Sequence, residues 1–177
     1  MSSKDGQKGG HSKKILKILG QKPAISLDSL KEAPDSKTSY ALARSAKNLI
    51  EAGFAQMHSS DNQDYLRITK KGKTKLHSLT LEQGDMPVST AWDGFWRIVI
   101  LDIGEDRKSE REALRYLLKK ANFICIKNTV WISPFPYEHL FTNIKKDLGL
   151  TTELMIIVAD KLDSETAAAF IAATKNS

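Results

Sequence analysis

Cysteine is nearly absent from this chain. Cys125 stands alone, so no intrachain disulfide can form and no cysteine-built zinc site can be assembled. Its position in the apolar run Phe123 to Ile126 marks it as a small core residue rather than a nucleophile. Long apolar runs are missing too. The longest, such as Leu154 to Ala159, fall far short of the roughly 20 residues that a membrane span needs. No charged-then-apolar leader opens the sequence, so the expected location is the cytoplasm. His11, His58, His77 and His139 share no i, i+3 or i, i+4 spacing, so no histidine metal site is expected. Neither a P-loop, a GxGxxG turn nor a Ser-His-Asp pattern is present, which leaves a nucleotide-binding or acyl-transfer enzyme without support.

What is present is a chain of 177 residues, 41% of them hydrophobic, with a formal net charge of +6. Those values fit one or two small globular domains. The excess charge is not spread evenly. Residues 1–91 hold 15 Lys and Arg against 9 Asp and Glu, whereas residues 92–177 hold 12 against 12. A basic half joined to a neutral half implies that the first meets a polyanion while the second does something else.

The pattern of breakers and apolar positions divides the chain further. Residues 1–12 are rich in Gly, Ser and Lys without periodicity, and read as a flexible tail. Lys13 to Gly20 and Ser26 to Ala33 read as short helices, the second stopped by Pro34. A longer helix starts from Asp35 or Ser36 as N-cap, carries Leu42, Ala46, Leu49 and Ile50 at helical spacing, and ends at Gly53. Phe54 to Met57 and Tyr65 to Thr69 then read as a hairpin, followed by a lysine-rich helix from Lys70 to about Gln83.

Three helices and then a hairpin is the order of a winged helix-turn-helix, expected over residues 13–83. On its third helix, Lys37, Tyr40, Arg44, Lys47 and Asn48 fall opposite the apolar stripe, where a recognition helix presents side chains to the major groove of double-stranded DNA. A charged face alone would be an ordinary solvated surface. Helix order, a following wing and localised positive charge together favour DNA binding, which needs no cofactor. Lys70, Lys71, Lys73 and Lys75 are either phosphate contacts or simply a soluble helix surface.

Residues 84–96 carry the breakers Gly84, Pro87, Ser89 and Gly94 and read as a linker. Beyond them the pattern alternates: a strand over Arg97 to Ile103, a helix over Arg107 to Ala121, strands over Phe123 to Ile126 and Thr129 to Ser133, a helix over Tyr137 to Leu148, and a strand over Leu154 to Ala159. This β-α-β-β-α-β order predicts a ferredoxin-like domain over residues 97–162, with a C-terminal helix in 163–177. The overall expectation is an α+β protein. The strands are apolar on both faces, so one set of side chains needs a cover. A homodimer packed sheet to sheet is the preferred cover, and the alternative is the helix from Ser164 to Lys175 folded over that face.

Asp102 closes the stretch WRIVILD and shares a strand face with Ile98 and Ile100. In a two-fold dimer two such carboxylates could meet and hold a magnesium ion that activates water for phosphodiester hydrolysis. The simpler expectation is that Asp102 caps the loop Gly104-Glu105-Asp106 or pairs with Arg107.

The segments WDGFWRIVILDIGEDRKSEREALRYLLKKANF and IKNTVWISPFP resemble the central region of the phenylacetate-degradation repressor (PaaX) family of transcription regulators. The resemblance rests on Trp92, Asp93, Gly94, Trp96, Arg97, Asp102, Ile103 and Arg107, and on Val130, Trp131, Ile132, Ser133 and Pro134. The same region is similar to the small CRISPR-associated nuclease of the spacer-acquisition complex, a ferredoxin-like homodimer in which a strand-end aspartate binds a divalent metal. The resemblance implies a compact homodimeric DNA-binding regulator. Its alternative implication is a metal-dependent endonuclease using Mg2+ at Asp102, with an integrase-like partner. A further implied possibility is a non-enzymatic subunit that grips DNA for such a partner.

Overall fold

Apolar residues three and four apart on short helices build the first core, and strand alternation builds the second. The computed structural model describes residues 6–32, 35–60, 62–83 and 91–175. It divides the chain into two compact units, Met1–Leu79 and Thr80–Ser177. The division falls inside a helix, ahead of the 84–96 segment read as linker.

The first unit runs α1 (Gly6–Gln21), β1 (Ile25–Ser26), α2 (Leu27–Lys31), α3 (Ser36–Glu51), β2 (Ala55–Ser60), β3 (Gln63–Ile68) and most of α4 (Lys70–Gln83). Ile15, Leu16 and Leu19 of α1 pack with Leu30 of α2, Ala46 and Leu49 of α3, and Ala55 and Leu66 of the strands. These contacts anchor α1, and once a helix is nucleated each added residue gains one backbone bond. Accordingly α1 begins at Gly6, inside the segment 1–12 expected to be a tail; residues 1–5 lie outside the described residues. Ile25 and Ser26 form a short strand on β3 rather than the start of a helix, because Ile25 is needed in the core. Ser26 then caps α2, its Oγ accepting from Asp28 N at 3.2 Å.

Asp35 is the N-cap of α3. Thr38 N and Thr38 Oγ1 both donate to its carboxylate at 2.7 Å, and these bonds hold the Asp35 pKa below its ordinary value. Gly53 adopts φ 73° just beyond the helix, a backbone position that favours glycine. The strands form an antiparallel sheet ordered β1-β3-β2. The segment His58 to Asp64 between the two runs is expected as a polar tip, yet His58, Ser59 and Ser60 extend β2 and Gln63 and Asp64 extend β3, with Ser59 paired to Asp64 and Ser60 to Gln63. Both ends of this hairpin are tied to helices. Thr69 N donates to Phe54 O at 3.1 Å, Thr69 Oγ1 donates to Gly53 O at 2.7 Å, and Gly72 N donates to Thr69 Oγ1 at 3.0 Å. Gly72 itself lies so close to Phe54 that a Cβ would collide with the Phe54 carbonyl oxygen.

The second unit runs β4 (Trp96–Leu101), a 3-10 turn (Glu105–Arg107), α5 (Lys108–Lys120), β5 (Ile124–Lys127), β6 (Val130–Ser133), α6 (Glu138–Leu148), β7 (Leu154–Ala159) and α7 (Ser164–Lys175). Its sheet is ordered β5-β6-β4-β7, and every neighbouring pair is antiparallel. Leu114, Leu117 and Leu118 of α5 and Leu140, Phe141, Ile144 and Leu148 of α6 share one core with Val99, Leu101, Trp131 and Leu154 of the strands. Both helices therefore cover the same face. Cys125 is half-buried against this core, its thiol donating to Lys127 O at 3.1 Å.

The opposite face is partly covered from within the chain. α7 packs along β5, and the Phe170 ring meets Trp96 edge-on with centroids 5.1 Å apart. Ile132 on that face is buried, whereas Met155 and Ile157 of β7 stay 41% and 43% exposed. The helix alternative thus accounts for one side of the face and leaves the β7 side open.

Candidate nucleic-acid interface

The apolar stripe of α3 decides which residues it shows to solvent. Ser45, Ala46 and Leu49 are buried, and Leu42 and Ile50 pack partly beside them. Lys37, Tyr40, Arg44, Lys47 and Asn48 are all exposed, Tyr40 to 70%. All five candidates share the outward side of one helix. Lys47 lies 3.8 Å from Glu51 across an exposed pair, a contact too solvated to immobilise it. Guanidinium, ammonium, amide and phenol groups along one helix are chemically able to pair with phosphates and with base edges.

The α4 lysines divide by role. Lys70 is exposed. Lys71 points back to the end of α3, where its Nζ donates to Ala52 O at 2.9 Å and lies 5.2 Å from the centre of the Phe54 ring. It serves as a C-terminal cap for α3. Lys73 and Lys75 are half-buried.

Sequence reading missed the hairpin's outward face. Pairing of Gln56 with Arg67 and of His58 with Tyr65 places these four on the side away from Ala55 and Leu66. Gln56, His58 and Arg67 are exposed there. Two-residue alternation counted out from Leu66 would have found them.

In the second unit, Arg97 is only 3% exposed and gathers the preceding turn. Its guanidinium donates to both Asp93 carboxylate oxygens, to Phe95 O at 3.0 Å, and to Glu138 at 2.8 and 3.1 Å. Trp92 Nε1 also donates to Phe95 O, at 3.0 Å. The Arg97 hydrogen bonds bring the Asp93 pKa down to about 2. Residues 92–95 are therefore part of the folded unit rather than spacer, while 84–90 lie outside the described residues.

Asp102 follows β4. Its N–H continues the ladder by donating to Glu153 O at 2.8 Å, and its side chain is exposed. Arg107, one of its expected partners, is taken by Glu110 at 2.8 Å and Glu153 at 3.0 Å. The Glu153 carboxylate also accepts from its own and the Thr151 backbone N–H and from the Thr151 hydroxyl, and its pKa falls to about 2.

Residues 89–171 match the family model described as the PaaX protein central Cas2-like domain. The matched segment is 83 of the chain's 177 residues, just under half of it. No curated protein matches the chain. Within the matched segment, Trp92, Asp93 and Arg97 form the turn just described, and Trp131 is buried in the core.

A magnesium ion is held by several oxygens at once. Among the described residues no group of three or more His, Cys, Asp or Glu side chains could hold a metal ion. The single carboxylate that Asp102 contributes does not make a magnesium site within one chain. No described helix is long and apolar enough to cross a membrane.

Proposed function

We propose that the chain is a homodimeric DNA-binding transcriptional regulator. The first unit acts as a winged helix-turn-helix, with α3 as recognition helix and the β2-β3 hairpin as wing. The Cas2-like domain acts as a ferredoxin-like dimerisation module that sets the spacing of two half-sites. The observation that carries this reading is the α3 face, where Lys37, Tyr40, Arg44, Lys47 and Asn48 share one exposed side of a helix whose other side is core. Localised positive charge and the PaaX-type domain support it. Lys70 adds a phosphate contact.

Selection from a random duplex library at physiological salt tests the reading. A reproducible motif is expected, and retention without sequence preference would overturn it. On the selected duplex, Arg44→Ala is expected to weaken binding roughly 5- to 150-fold, from the ~1–3 kcal/mol of one base contact, and to relax preference at one position. Lys37→Ala and Lys47→Ala are expected to weaken all duplexes alike and to lower the slope of log affinity against log salt by about one each. Fluorescence anisotropy across a salt series distinguishes the two patterns. Incubating the same duplex with Mg2+ addresses the nuclease alternative. Cleavage lost in Asp102→Ala would establish that alternative, and an intact duplex is expected.

A further inference from the structure

The outward side of α3 carries two kinds of polar group. Lys37 and Lys47 end in compact ammonium charges, which suit phosphates. Arg44 and Asn48 end in flat, forked groups. They stand one helical turn apart on the same exposed side. Among the described residues, neither of these two side chains has a hydrogen-bond or ion-pair partner, so their donors and acceptors are unclaimed.

Tyr40, Ala43, Arg44, Lys47, Asn48 and Glu51 line one open depression. The Glu51 side chain is 63% exposed there, 3.8 Å from Lys47 Nζ. A phosphate drawn into the depression would meet a like charge, whereas the exocyclic amino group of a base would meet an acceptor. The depression thus suits base edges better than the nucleic-acid backbone.

The two forks differ in what they match. A guanidinium has only donors, and guanine shows two acceptors, O6 and N7, in the major groove. Adenine would set its N6 amino group against that guanidinium, donor to donor. A carboxamide offers a donor beside an acceptor, which matches the N7 acceptor and N6 donor of adenine and leaves its oxygen opposed on guanine. Four residues of helix rise about 6 Å, and successive nucleotides of a strand lie about 3.4 Å apart along the duplex axis. Arg44 and Asn48 therefore reach base pairs one or two steps apart.

We propose that α3 reads two purines in the major groove, a guanine through Arg44 and an adenine through Asn48, one or two base-pair steps apart. This rests on the regulator reading and says which bases its recognition helix selects.

Base analogues provide the test. In 7-deazaguanine and 7-deazaadenine the N7 acceptor becomes C–H, while Watson–Crick pairing and charge are kept. Each guanine and adenine of the duplex motif selected at physiological salt is replaced singly. Binding of the full chain is followed by fluorescence anisotropy at reduced salt, where weakened variants stay measurable. For the wild type, one deazaguanine and one deazaadenine no more than two steps apart are each expected to weaken binding at least about 5-fold, the lower end for a bidentate base contact. Arg44→Ala should bind that deazaguanine duplex as well as the parent and keep its response to the deazaadenine. Asn48→Ala should show the reverse. Both side chains are exposed, so circular dichroism of the variants should match the wild type. Three results overturn the base assignment and leave the regulator reading standing: a motif without a guanine and an adenine at that spacing, a wild type indifferent to either analogue, or a response that survives in the variant assigned to it. A library that returns no motif overturns both.

Discussion

Truncating Phe141 to alanine is expected to destabilise the second unit by about 3–5 kcal/mol, the cost of losing a large aromatic side chain and leaving a cavity. Phe141 is fully buried at the centre of the α5-α6 layer. Its ring meets Phe123 edge-on with centroids 5.1 Å apart, so the truncation also removes an aromatic pair. A domain has about 5–15 kcal/mol of stability in all, which makes this one side chain a large fraction. Trp92, Trp96 and Trp131 all lie in the second unit, so tryptophan fluorescence during urea unfolding reports on that unit alone. The midpoint should fall while the slope holds. A shift below about 1 kcal/mol would contradict the packing described.

Arg97→Ala carries the second large effect, about 2–3 kcal/mol. Breaking a buried ion pair costs about 3–5 kcal/mol. The lower figure applies because the Asp93 and Glu138 side chains are 40% and 24% exposed and rehydrate when the guanidinium goes. The pH dependence has a definite sign. Hydrogen bonds from Arg97 lower the Asp93 pKa from 3.8 to about 2 and lower that of Glu138 as well. A carboxylate whose folded pKa is depressed stabilises the fold fully above its unfolded pKa and loses that contribution as pH falls through the folded value. Wild-type stability should therefore decline as pH falls from about 5 towards 2. Arg97→Ala should show a shallower decline in the same window, in chemical unfolding repeated at each pH. A parallel profile would show that Arg97 does not set these carboxylates.

The second unit was legible because its elements are strongly periodic. The apolar stripe Leu114, Leu117 and Leu118 leaves few alternatives, and each observed element lies within a few residues of its expected bounds. The short pieces of the first unit were harder. Ile25 and Ser26 form a strand only because β3 is there to receive them, and no local signal announces a two-residue strand. Lys71 looked like its neighbours in sequence, yet the end of α3 claims it. The α3 face was readable because helical spacing alone separates Arg44 from Ala46. Arg67 was not noticed, although alternation from Leu66 puts it on the outer face; that Gln56 and His58 share this face shows only once the hairpin register is known. What covers the second sheet face was half visible: an alanine-rich helix could be foreseen, but not that it would stop short of β7.

The bonds joining Gly53, Phe54, Thr69 and Gly72 clamp the base of the β2-β3 hairpin against the end of α3. Length changes at its tip then act on a closed loop. Extra residues between Ser60 and Gln63 add only a small closure entropy, about 0.6 kcal/mol for each doubling of a flexible loop, and transmit no displacement to Arg44. Extra residues between Ala52 and Phe54, or between Thr69 and Gly72, would break the clamp itself. The chain can therefore lengthen or shorten its hairpin independently of the helix beside it, so the hairpin's reach and the α3 surface can change by separate mutations.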